Sequence, residues 1–207
     1  MRNRDYKEFA SGAIAHIYNR GNNKEKIFFD EQDYKAFLFR LGLALGFEEK
    51  ELQKEKMLSL PYSRIRISAN KKLFKLHSFC LMPNHFHLLI EQDGETSISK
   101  IISQICTSFS MYINKKYKRV GHVFQDCFKT VIIDSHPQLM WTSAYIHMNP
   151  VRDDLVKNPQ NYTWSSYSDY IERKLPIVHT GLLKSLFEDR KSFEEETLTL
   201  SCVKDSP

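Results

Sequence analysis

The chain has 207 residues, of which 42% are hydrophobic and 13% aromatic, enough apolar material for one sizeable core and too much for a disordered chain. Its formal net charge of +5 permits nucleic-acid binding without requiring it. No run of eighteen apolar residues exists, and Met1-Arg2-Asn3-Arg4-Asp5 leads into no secretory segment, so a cytoplasmic protein that spans no membrane is expected.

Ala13–Tyr18 reads as a first strand, followed by the turn Asn19-Arg20-Gly21-Asn22-Asn23. Asp30 is placed to cap a helix whose apolar positions include Tyr34, Phe37, Leu38 and Leu41. A charged stretch from about Phe47 to Ser59 precedes Arg64-Ile65-Arg66-Ile67, which alternates like a strand. Leu73 to Met82 predicts another, and Pro83-Asn84 turns it into a strand from His85. Beyond Asp93-Gly94, the residues Ile98, Ile101, Ile102, Ile105, Phe109, Tyr112 and Ile113 share one helical face. Val123 to Ile133 is rich in β-formers. Pro137 can open a further helix carrying Met140, Trp141, Ala144, Tyr145 and Met148, with Asn149-Pro150 closing it. A short apolar piece (Leu182 to Phe187) and a polar tail from about Asp189 end the chain. This order predicts an α+β sandwich of two layers, ferredoxin-like, over residues 1–170, with a C-terminal extension over 171–207.

The four cysteines, Cys80, Cys106, Cys127 and Cys202, are scattered, which supports neither a disulfide framework nor a cysteine-based zinc site. Basic residues cluster at Lys115, Lys116, Lys118 and Arg119, and again at Arg64, Arg66, Lys71, Lys72 and Lys75. Acidic ones gather at Glu48–Glu51 and Glu194–Glu196. A basic middle suits a phosphate-facing surface, and solvated charge explains it equally well.

His85 and His87 carry the most chemical information. In a strand, residues two apart point to the same face, so both imidazoles share one side while Phe86 points to the other. Such a pair is either half of a metal site or a polar end to a hydrophobic strand. The segment Tyr145-Ile146-His147-Met148-Asn149 offers a complement, because residues i and i+4 of a helix share a face. A phenol and a side-chain carbonyl oxygen would then meet two imidazoles, a three-ligand cation site with open positions. A cation beside a phenol favours its attack on a phosphodiester. Taken alone, Tyr145 also reads as a half-buried helix tyrosine and Asn149 as a helix-terminal residue.

Met82-Pro83-Asn84-His85-Phe86-His87-Leu88-Leu89 and Tyr145-Ile146-His147-Met148-Asn149-Pro150-Val151-Arg152 together resemble the signatures of REP-associated tyrosine transposases, a branch of the single-tyrosine HUH (His-hydrophobe-His) transposases. The resemblance extends to Tyr18-Asn19-Arg20-Gly21-Asn22, Gly121-His122-Val123-Phe124-Gln125 and Trp164-Ser165-Ser166-Tyr167, and so spans about residues 10 to 170 in register. It implies a ferredoxin-like or RRM-like antiparallel sheet that recognises single-stranded or hairpin DNA. It also implies a tyrosine that attacks the backbone and becomes linked to the 5′-phosphate, leaving a free 3′-hydroxyl. Carried over, His85, His87 and Asn149 hold Mg2+ or Mn2+ and Tyr145 is the nucleophile. Imidazole ligands by themselves also admit zinc.

Two departures stand out. Many relatives have arginine where this chain has Cys127, for which Lys129 is a substitute, and tyrosine where it has Phe109. Tyr112 is the rival nucleophile, but it lies in the apolar stripe of its helix. Arg20, Asn22, Lys115, Lys116, Arg119 and Lys129 are candidates for DNA contact, and His122 for a supporting or a surface role. The alternative function is a domesticated DNA-binding module without turnover, and both monomer and homodimer remain open.

Overall fold

The computed structural model describes residues 10–59, 65, 67, 73–94 and 96–201. The strand expected at Arg64–Ile67 and the basic residues Arg64, Arg66, Lys71 and Lys72 fall wholly or mainly outside them. Strand β1 (Ile14–Arg20) leads to helix α1 (Glu31–Ala44) and a short α2 (Glu49–Leu52). The hairpin of β2 (Phe74–Met82) and β3 (His85–Gln92) follows, then α3 (Ile98–Tyr117), β4 (Lys129–Ile133) and α4 (His136–Arg152). The strands form one antiparallel sheet in the order β2-β3-β1-β4. This is the split βαβ arrangement of the expected ferredoxin-like fold.

Alternation along the strands divides the residues between two faces. Ala15, Ile17, Phe86, Leu88 and Ile90 point to the side covered by α1 and α3, where Phe28, Phe37, Ile105 and Phe109 join them in the larger core. Leu89, Cys80 and Met82 point to the other side, in a second cluster with Leu139 and Ile146 of α4. A bulge between Leu76 and Ser78 lets the edge strand β2 serve both clusters. The layer of α1 and α3 is therefore joined by a second helical cover on the opposite face, beyond the two layers read from the sequence.

The C-terminal extension and the residues just before it complete that cover. Helices α5 (Tyr167–Ile171), α6 (Gly181–Lys184) and α7 (Arg190–Ser201) bring Tyr167, Tyr170, Leu183 and Phe193 into the second cluster. The stretch from Asp189, expected to be a polar tail, is thus a packed helix. Phe193 is buried and stacks on Tyr170 at 4.9 Å between ring centroids. Its polar composition hid a narrow apolar stripe that finds its partners in α4 and α5.

Three boundaries differ from expectation. The strand expected from Val123 begins at Lys129, with residues 123–128 forming a loop. Pro137 follows the first helical residue, His136, behind the N-cap Ser135. Helix α4 continues through Pro150 to Arg152, although the proline supplies no N–H to the helix.

Asp33 ties the first layer together. Fully buried, it accepts hydrogen bonds from the backbone N–H of Phe29 (2.8 Å), the hydroxyls of Tyr112 (3.0 Å) and Tyr117 (2.8 Å), and Lys116 Nζ (2.8 Å). It also completes the capping box of α1 with Asp30. Replacing Asp33 with alanine strands these donors and is expected to cost about 3 kcal/mol in denaturant unfolding. At the β2 edge, Glu91 accepts from Lys75 (2.8 Å) and lies 2.8 Å from His77 Nε2. Burial works to raise the Glu91 pKa, but Lys75 and His77 outweigh it and hold the carboxyl below its ordinary 4.5. The stabilisation is therefore complete above pH 4.5 and is lost as pH falls through the lower folded value. Glu91→Gln should cost about 1 kcal/mol at pH 7, with the gap to wild type closing in acid melts.

Candidate active site

Strand pairing assembles the site. In the β1–β3 ladder Tyr18 lies opposite His87 and Arg20 opposite His85, with His16 opposite Leu89. His16, Tyr18, Arg20, His85 and His87 therefore project from the same face of the sheet. The end of β3 that bears His85 is held by the segment before α1. Pro83 O accepts from the N–H groups of Ile27 (2.8 Å) and Phe28 (3.1 Å), and Asn84 O from Gly21 N (2.7 Å). Gly21 is required for this turn, since a Cβ there would stand 2.1 Å from Glu25 O.

Helix α4 lies across that face and supplies the remaining groups. The Tyr145 ring meets His87 edge-on, with centroids 5.4 Å apart and planes at 88°, and meets His16 at 6.0 Å. Trp141, one turn earlier, stacks on Tyr145 at 5.3 Å and 10°. Arg152, two turns later, places its guanidinium carbon 5.2 Å from the same ring centre. The Tyr145 hydroxyl has no hydrogen-bond partner among the described residues. The helix is anchored by Ile146 in the second core, by Ser143 Oγ at 3.1 Å from Ser78 Oγ, and by His147 Nε2 at 2.9 Å from Ser166 Oγ.

Both histidines are held in the neutral form. Burial, then the charge of Arg20, lowers the His85 pKa. Burial also takes His87 well below its ordinary value, followed by the influence of His16, His85 and Arg20. His85 Nδ1 lies 2.6 Å from Asn84 Oδ1. Asn84 Nδ2 donates to Lys24 O (3.2 Å), which leaves Oδ1 as an acceptor and assigns the proton to His85 Nδ1. Asn149 Nδ2 donates to Tyr145 O (2.8 Å), which leaves Oδ1 as the acceptor that Asn149 turns toward His85. A carbonyl oxygen and an imidazole lone pair thus converge beside a second imidazole. Two nitrogens and an oxygen in this arrangement fit a divalent cation. Among the described residues no group of three or more His, Cys, Asp or Glu is placed to hold a metal, so this mixed donor set is the candidate.

The expected DNA contacts are dispersed. Arg20 is exposed at the site, and its charge acts on both histidines. Exposed Lys129 lies opposite Tyr18 across the β1–β4 ladder, and both line a groove of about 1060 Å³ with Cys127, His122 and the flank of α3. Asn22 is exposed just beyond β1. Lys115, Lys116 and Arg119 belong to the end of α3, in the layer on the opposite face. Lys115 is exposed, but Lys116 is bound to Asp30 (2.7 Å) and Asp33 (2.8 Å), and Arg119 to Glu25 (2.9 Å). Cys127 is exposed on the groove, and Phe109 is fully buried against Phe28 and Phe37. Tyr112 bonds Asp33, consistent with a packing role.

Sequence reasoning missed His16, Trp141 and Arg152 as neighbours of this site. Trp141 and Arg152 were within reach of helical periodicity, at four residues before and seven after Tyr145. His16 required the strand register.

A family model described as IS200-like transposase matches residues 47–149. Among solved structures, the chain is similar to a REP-associated tyrosine transposase bound to a REP hairpin. The TM-score is 0.58 and the identity 16%, over 87% of this chain and 92% of that one. At that identity the likeness establishes the fold. No curated protein matches the sequence significantly. By residues 47–149, about half its length and the part that holds His85, His87, Tyr145 and Asn149, the chain belongs to the IS200-like transposase family.

Proposed function

We propose that this protein is a metal-dependent DNA strand transferase that cleaves and rejoins single-stranded or hairpin DNA through Tyr145. The observation that carries the reading is the edge-on contact of Tyr145 with His87, beside Asn149 and His85, with no hydrogen-bond partner for the tyrosine hydroxyl among the described residues. The hairpin bound by the structural neighbour supports the choice of substrate.

In this mechanism Tyr145 Oη bonds to phosphorus and releases its proton to solvent. The bond from phosphorus to the 3′-oxygen breaks, that oxygen takes up a proton, and the 5′-phosphate remains on the tyrosine. Attack by a 3′-hydroxyl reverses the step. His85, His87 and Asn149 would hold a magnesium or manganese ion, which when bound polarises the phosphoryl oxygen. Trp141 fixes the plane of the Tyr145 ring from one turn away. Arg152 and Arg20 place positive charge on the tyrosine and histidine sides of the site, complementary to the phosphate. Arg20, Asn22 and Lys129 are the favoured DNA contacts, whereas the carboxylate partners of Lys116 remove it from that role.

Incubation with labelled hairpin DNA and Mn2+ or Mg2+ should give a denaturant-stable adduct that chelation abolishes. Tyr145→Phe should lose the adduct while keeping hairpin affinity within a few-fold. An adduct mapped to Tyr18 or Tyr112 would overturn the assignment of the nucleophile. Tight hairpin binding with no adduct under any metal would favour the DNA-binding module without turnover.

A further inference from the structure

His16 is a buried imidazole at the back of the site that the mechanism above does not use. It is 8% exposed, and its Nε2 lies 2.9 Å from His87 Nδ1, with the rings 5.1 Å apart and nearly parallel at 24°. Tyr18 flanks it at 5.1 Å and Tyr145 at 6.0 Å. Neighbouring Ala15 and Ile17 are fully buried in the opposite core, so the strand leaves His16 no other face to present.

A hydrogen bond between two imidazole nitrogens contains a single proton, and its position has consequences for the far side of the His87 ring. If His87 Nδ1 donates, His87 Nε2 keeps its lone pair and can bind a cation. If His16 Nε2 donates, a neutral His87 is protonated at Nε2 and cannot. On His85 the close acceptor Asn84 Oδ1, 2.6 Å from Nδ1, draws the proton to that nitrogen. The two rings serve one cation only when both carry their proton on Nδ1.

We infer that His16 is a positioning residue for His87: it accepts the His87 Nδ1 proton through Nε2, carries its own proton on Nδ1, and so holds His87 in the ligating tautomer. This inference rests on the proposed role of His87 as a metal ligand. It adds an all-histidine relay in the place where a carboxylate or a backbone carbonyl commonly orients a metal-bound imidazole. Histidine suits the position because its ring accepts at that nitrogen while lying edge to edge and nearly coplanar with the His87 ring.

The direct test needs neither metal nor DNA. In the wild-type protein labelled with 15N-histidine, long-range 1H–15N correlations report the tautomer of each ring. His87 should appear as the Nδ1–H form and His16 likewise. A His87 ring protonated on Nε2 would overturn the inference. His16→Phe keeps a planar ring in the buried position but removes the acceptor. It should turn His87 into a mixture of tautomers and weaken Mn2+ binding by about 10- to 100-fold. His16→Gln, which restores a carbonyl acceptor, should recover most of that affinity, and the melting curves of both variants show whether they remain folded. Unchanged Mn2+ affinity in a folded His16→Phe protein would also overturn it. If the wild type bound no Mn2+ yet showed the Nδ1–H tautomer of His87, the metal reading would fail while the role of His16 stood.

Discussion

The register between β1 and β3 is the constraint on which the site depends. These strands lie at the centre of the sheet and pair over their full length, with one side of each buried in the larger core. A slip of one residue would send Ala15, Ile17, Phe86 and Leu88 to the wrong face, at the cost of most of that core. The apolar residues therefore hold the register, and the histidines, at the alternate positions, are carried to one face as a consequence. His16, Tyr18, His85 and His87 owe their proximity to hydrophobic residues that never touch a substrate.

The nucleophile candidate is placed by a different device. Helix α4 presents Tyr145 because the neighbouring residues of the helix are committed elsewhere: Ile146 to the second core, Ser143 to Ser78 and His147 to Ser166. Tyr170 and, from the extension, Phe193 then close over the back of the same helix. Rigidity at Tyr145 thus derives from contacts behind it, while its hydroxyl stays open to the face where a DNA strand would lie. The continuation of α4 past Pro150 adds Arg152 to the site by extending the same helical face for one more turn.

Charge is distributed less simply than the basic excess suggests. Lys116 and Arg119, prominent among the cations of the α3 terminus, are engaged by Asp30, Asp33 and Glu25, and the Lys75 ammonium by Glu91 and Asp93. Burial weighs against the Lys116 charge, but the aspartates prevail and raise its pKa. Arg20 and Lys129 stand at the sheet face instead. The positive potential near the histidines therefore comes from a few strand residues and Arg152, and not from the dense basic run in the sequence.

The sequence alone determined what periodicity can carry. The period of two along a strand placed His85 and His87 on one side, and the period of about four along a helix aligned Tyr145 with Asn149. The capping role of Asp30, the core face of α3 and the βαββαβ order were legible for the same reason, since each depends on residues a few positions apart. Tertiary structure decided whatever joins distant residues. His16 meets His87 across 71 positions, and Lys116 meets Asp30 across 86. The polar α7 becomes a packed helix because His147 of α4 and Tyr167 and Tyr170 of α5 receive Phe193. Local sequence fixes which way a side chain faces along its own element, while strand register and layer packing decide what stands opposite it.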